Sequence, residues 1–173
     1  MDGRYGVEAA VRVRPARLED EAALTDLAAG FRVALAELRG RGRPPDLVAA
    51  GRELADYGVA GHPIFVAEAE DGELVGYLVC RIEDNVVWAE SLYVVPEWRR
   101  MGVGSALYHE AEWLAGALSS DTVYNWVHPD NDGVIAFLQK RGYQVLNLIE
   151  LRRARFAEEP AGHIRVGAHE FEY

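Results

Sequence analysis

The chain has one cysteine and one lysine in 173 residues. A single thiol, Cys80, excludes an intrachain disulfide. Its setting, Tyr77-Leu78-Val79-Cys80, reads as a buried structural position rather than a nucleophile. With Lys140 as the only lysine, no P-loop is possible, because that motif needs a lysine beside its last glycine. Positive charge is scarce: 18 basic residues stand against 28 acidic ones, a net of −10. That balance argues against a general nucleic-acid surface and suits a cationic substrate as well as solubility. No apolar run reaches membrane-spanning length, and the opening residues lack the apolar stretch of a secretory signal. The expectation is a cytoplasmic protein with no membrane partner. The five histidines show no ligand spacing, so no metal is expected.

Half of the residues are hydrophobic and about a quarter are charged, enough for one domain with a real core. Val11 to Arg14 alternates and stops at Pro15, a short strand. Leu24, Leu27, Ala28, Phe31, Leu35 and Leu38 form a helical face, with Glu19, Asp20 and Glu21 where the dipole favours acids. The glycines and paired prolines of residues 39–45 make a loop, and Leu47, Leu54 and Tyr57 mark a second helix. The period then changes. Residues 64–69, 74–82 and 86–95 read as a three-stranded meander with turns at Asp71-Gly72 and Asp84-Asn85. A helix over Leu107, Ala111, Leu114 and Leu118 follows, then a strand over 123–127. A helix over 132–140 ends at Gly142, a natural residue beyond a helix C-terminus. A last long strand is expected over 145–151. Residues 157–162 read as a linker, before a tail of strand-like alternation. The order implies a mixed, mostly antiparallel sheet flanked by about four helices.

The stretch Arg99-Arg100-Met101-Gly102-Val103-Gly104-Ser105 sits between a strand and a helix, where two glycines need a reason. A dinucleotide fingerprint would need glycine or alanine at position 107, which is leucine. What remains is a strand, then Arg-x-x-Gly-x-Gly, then a helix N-terminus aimed at a pyrophosphate.

These residues carry a resemblance. "LYVVPEWRRMGVGSAL" (92–107) resembles the acetyl-CoA motif of the GNAT N-acetyltransferase superfamily. "NDGVIAFLQKRGY" (131–143) is similar to that family's later motif, with Asn131, Gly142 and Tyr143 at the same spacing. The element order agrees from Val11 to about Leu151. The resemblance implies a GNAT-like domain over residues 1–156, with the linker and tail at 157–173. It implies that the backbone of Leu92, Tyr93 and Val94 meets the pantetheine arm like an added strand. It also implies that residues 99–105 (Arg99, Arg100, Met101, Gly102, Val103, Gly104 and Ser105) hold the pyrophosphate, and that Asn131 contacts the pantetheine end. Asn131 also has the residue type of a helix cap.

Acetyl transfer to an amine needs the amine neutral, and a lysine-like amine has a pKa near 10.4. Glu90 is the expected catalytic carboxylate. By the two-residue period it shares a face with Trp88 and Leu92 on the strand that presents the thioester. It serves there either as the base or as a rim carboxylate that binds a cationic amine. One position departs from the family: Leu138 stands where a tyrosine commonly donates a proton to the CoA sulfur. Tyr93, Tyr124 and His128 lie within reach in sequence. Trp88, Trp98, Trp113 and Trp126 read as packing residues, with Trp113 in the core, rather than as a cage for a methylated amine. The implied activity is transfer of an acetyl group from acetyl-CoA to a primary amine on a small molecule or protein. Leu138 keeps open the alternative of a CoA-binding sensor or partner module without turnover. A homodimer using the tail from His163 to Tyr173 is expected.

Overall fold

In the computed structural model, residues 11–120, 122–160 and 162–173 are described. They contain β1 (Val11–Pro15), α1 (Glu21–Leu38), α2 (Leu47–Val59), β2 (Ile64–Ala69), β3 (Leu74–Glu83) and β4 (Val86–Val94). There follow α3 (Val103–Ala117), β5 (Val123–Asn125), α4 (Asp132–Lys140), β6 (His163–Val166) and β7 (His169–Glu172). Two compact units are present. One comprises the chain up to Leu35 together with Arg43–Trp126; the other comprises Ala36–Gly42 and Val127–Tyr173. No helix among the described residues is long and apolar enough to cross a membrane.

The first unit is a five-stranded sheet in the order β1-β2-β3-β4-β5. The first four strands are antiparallel, and β5 runs parallel to β4. The β3–β4 hairpin turns on Asp84 and Asn85, whose φ values of 50° and 64° are those of a two-residue type I′ turn. One sheet face packs on α1 and α2. Leu24, Leu27 and Ala28 of α1 and Ala50 of α2 meet Val66, Tyr77 and Val79 there. The other face takes α3, and Gly76 of β3 makes that contact close. A Cβ on Gly76 would lie 2.8 Å from the Tyr93 carbonyl and 3.1 Å from Leu107. Arg14 closes the β1 end, buried between Asp20 and Glu68.

The second unit holds α4 and the β6–β7 hairpin. Asn131 caps α4, its Oδ1 accepting from the Val134 amide, and Gly142 at φ 93° ends it. The Tyr143 amide then reaches back to the Leu138 carbonyl, the mark of a Schellman cap. The tail folds on itself: His163 pairs with Glu172 through Val166 with His169, and the Tyr173 hydroxyl donates to Asp130 at 2.8 Å.

Two expectations are corrected. Residues 145–151 form no strand, and Val145, Leu146, Leu148, Ile149 and Leu151 are exposed. An alternating or apolar pattern suggests a strand, but only a hydrogen-bonding partner makes one, and the segment has none among the described residues. Trp113 is 61% exposed, because the buried face of α3 is Val103, Leu107, Tyr108, Ala111 and Ala115.

Candidate active site

Strand β4 is irregular where it matters. Val79 of β3 pairs with Ser91 while the next residue, Cys80, pairs with Ala89, so Glu90 is an extra residue in a β-bulge. The bulge resets the alternation of side chains. Before it, Trp88 lies opposite Arg81. After it, Ser91 and Tyr93 lie opposite Val79 and Tyr77 on the α1–α2 face, and Leu92 lies opposite Leu78 on the other. Trp88 and Leu92 therefore face opposite sides of the sheet. This corrects the two-residue reading, which assumed an unbroken ladder.

The same region is where β5 ends. It pairs with Val87, Trp88 and Ala89 only. From Glu90 to Val94 the outer edge of β4 has no strand partner among the described residues. An edge of unpaired amides and carbonyls can accept an extended ligand as an added strand. Leu92 and Tyr93 lie along it. The Val94 carbonyl accepts from Arg99 Nε at 2.9 Å, and the Arg99 guanidinium lies over the Tyr93 ring at 5.6 Å. Arg99 thus ties the following turn to β4.

That turn leads into α3 through Arg100 at φ 63° and Gly102 at φ 89°. Gly102 is the N-cap, and no side chain caps the helix. The first amides of α3, from Val103 onward, have no partner inside the helix. Gly104 is the telling position. A Cβ there would find only Val94, at an ordinary 3.9 Å. No described side chain or backbone crowds position 104, which leaves room above the helix N-terminus. Uncapped amides, the helix dipole and free backbone approach together suit a phosphate. Arg100 and Met101 are exposed beside them, and Ser105 lies in the first turn.

The profile of the acetyltransferase (GNAT) family matches residues 32–143. The chain belongs to the GNAT acetyltransferase family. It is 34% identical over 111 residues to the mycothiol acetyltransferase of Geodermatophilus obscurus. That alignment covers 63% of this chain but only 35% of the relative, about a third of its length. Similar folds occur in AAC(6')-Iy bound to a bisubstrate analog, CoA-S-monomethyl-acetylneamine (20% identity, TM-score 0.64), with 84% of this chain and 98% of that one covered. The PaiA N-acetyltransferase of Thermoplasma acidophilum in complex with coenzyme A is also similar (22%, TM-score 0.64), with 76% and 87% covered.

A polar and aromatic cluster lies beyond the bulge and on the α1–α2 face. Glu90 Oε2 accepts from Arg81 Nε at 2.9 Å. Ser91 is buried there beside Tyr57 and Tyr77. Burial and the charge on Glu53 push the Tyr57 hydroxyl, which donates to Glu53, up to about 12. Arg32 pairs with the other oxygen of Glu53. Trp88 stacks near Tyr124 and Trp126, with centroids 5.0 and 5.1 Å away, and Arg81 packs beside both indoles. Cys80 is fully buried, and burial pushes its thiol up to about 12, so it is no nucleophile.

The first unit thus brings together Glu90, Leu92, Tyr93, Val94 and residues 99–105. Asn131 and Leu138 belong to the second unit, where Asn131 acts as a cap and Leu138 is buried. Sequence reasoning missed Arg81, Tyr57 and Ser91. Arg81 was within reach, because a two-residue turn at Asp84-Asn85 places 81 opposite 88. Ser91 was not, because its face depends on the bulge. Among the described residues no group of three or more potential metal ligands occurs.

Proposed function

We propose that the protein transfers an acetyl group from acetyl-CoA to a primary amine. The observation that carries this reading is the empty space over Gly104, at an uncapped helix N-terminus that continues from the open edge of β4. In this reading the backbone of Leu92 and Tyr93 aligns the pantetheine arm. Residues 99–105 hold the pyrophosphate, with Arg100 adding charge and Arg99 bracing the turn. The CoA complexes of similar folds support this assignment.

The amine nitrogen attacks the thioester carbonyl, the N–C bond forms as the C–S bond breaks, the nitrogen gives up its proton to Glu90, and CoA leaves as a thiolate. Glu90 faces the amine. A thiolate whose acid has a pKa of about 8.5 leaves without a proton donor at modest cost, so Leu138 is compatible with turnover. Orientation alone supplies roughly 7–11 kcal/mol. Leu138, buried and without a hydroxyl, favours one second reading, a CoA-binding module that does not turn over. We also propose a homodimer with the β6–β7 hairpin at its contact.

Two measurements test the binding site and then the readings. Acetyl-CoA at about 100 times its Kd is expected to stabilise the fold by roughly 2.7 kcal/mol. Gly104→Val should keep the fold and lose that stabilisation, because the valine fills the phosphate space. A Gly104→Val variant that binds acetyl-CoA as tightly as wild type removes the phosphate assignment. A screen of primary amines for CoA release then separates transfer from binding. Tight binding with no release for any amine hands the site to the second reading.

A further inference from the structure

The Trp88 and Trp126 indoles lie against each other, with centroids 5.1 Å apart, and a cation of the chain itself packs beside both. The Arg81 guanidinium carbon lies 5.0 Å from one ring centroid and 4.9 Å from the other. Its side chain is 15% exposed, and two carboxylates hold it, Glu83 through Nη1 and Glu90 through Nε. A planar guanidinium packed beside two indoles, with its fork in use, has little freedom left. Burial works against its charge, but the bonds to Glu83 and Glu90 outweigh that and hold its pKa above the ordinary arginine value.

Glu90 is the residue that the bulge inserts, so the strand ladder alone does not fix its direction. Its Oε2 is taken by Arg81, while its Oε1 accepts no hydrogen bond from the described residues. We infer that Arg81 is a positioning residue: packed beside Trp88 and Trp126, it fixes the Glu90 carboxylate by one oxygen and leaves the other for the ammonium or amine of the acceptor. This rests on the acetyltransfer reading and narrows it to acceptors that are cationic before reaction. The tryptophans serve the acceptor indirectly, by packing beside the arginine that aims the carboxylate.

The test is a double-mutant cycle on acetyl transfer, with the Arg81 Nε–H followed by NMR. Arg81→Gln should lower kcat/KM for a primary amine about 10-fold, chiefly through KM, with acetyl-CoA affinity unchanged. Arg81→Lys keeps the charge without the planar fork and should restore only part of the loss. In a Glu90→Gln background, Arg81→Gln should cost less than a further 2-fold, because its effect passes through Glu90. Losses that multiply, or a matching loss of acetyl-CoA affinity, overturn the proposal. The Arg81 Nε–H should exchange slowly in wild type and rapidly in Glu90→Gln. Fast exchange in wild type overturns the proposal without any assay of turnover. Slow exchange in a protein that acetylates no amine leaves the Arg81 grip standing and removes the acetyltransfer reading instead.

Discussion

Asp20 is an acid read from sequence as a dipole partner and found as a buried ion. Its Oδ2 accepts from Arg14 Nη1 at 2.6 Å and from the Arg17 amide at 2.7 Å, and its Oδ1 accepts from Arg14 Nη2 at 2.9 Å. The bonds from Arg14 hold its carboxyl below the ordinary aspartate range, against the opposing effect of burial. A carboxyl whose folded pKa is depressed adds stability above its unfolded pKa, near 3.9, and loses it as pH falls toward the folded value. The melting temperature should therefore drop steeply below about pH 4. Asp20→Asn should lower stability at pH 7 by about 3 kcal/mol, since it breaks a buried ion pair, and should flatten that acid slope. Thermal melts of both proteins from pH 7 to pH 3 check this. An equal acid slope in the variant places the sensitivity elsewhere. Local chemistry of this kind was partly legible: the acids at 19–21 were visible, but that one of them is buried depends on Arg14, on another element.

At the scale of the element, β4 is a strand with one residue too many. Without Glu90, Ala89 and Ser91 would be consecutive and would still match Cys80 and Val79, giving a regular ladder. The bulge adds twist and bends the strand, and β5 pairs no further than Ala89. Deleting Glu90 should therefore give a folded protein with a regular β3–β4 ladder, which acetyl-CoA no longer stabilises. Melts with and without acetyl-CoA check this; undiminished stabilisation of the deletion variant would detach the bulge from binding. Element types were readable because hydrophobic periods and turn residues are local: both hairpin turns, the Gly142 stop and the meander appear where the pattern places them. The bulge was not readable, because nothing in Ala89-Glu90-Ser91 shows which residue the partner strand will skip. Residues 145–151 failed for the complementary reason, having the pattern of a strand without a partner.

At the scale of the whole molecule, the tail raises the question of a second copy. A two-stranded sheet is marginal alone, and the outer edges of β6 and β7 are unpaired among the described residues. The proposed homodimer uses those edges. Deleting residues 160–173 should turn a dimer into a monomer in light scattering, and an unchanged mass would take the hairpin out of the contact. Net charge and the two motifs made the broad class and family legible from sequence, because phosphate chemistry dictates glycines at fixed spacing. The cluster around Arg81 and Tyr57 was less legible, since its residues come from α1, α2, β3, β4 and the residue after β5.

Gly102 and Gly104 are alike in sequence and answer to different masters. Gly102 sits at φ 89°, so the backbone itself resists replacement, whereas the chain leaves open room over Gly104. A library selected only for folded, soluble protein would keep glycine at 102 and let 104 drift. Selection for ligand would freeze both. The difference between the two outcomes would mark the phosphate site with no assay of chemistry at all.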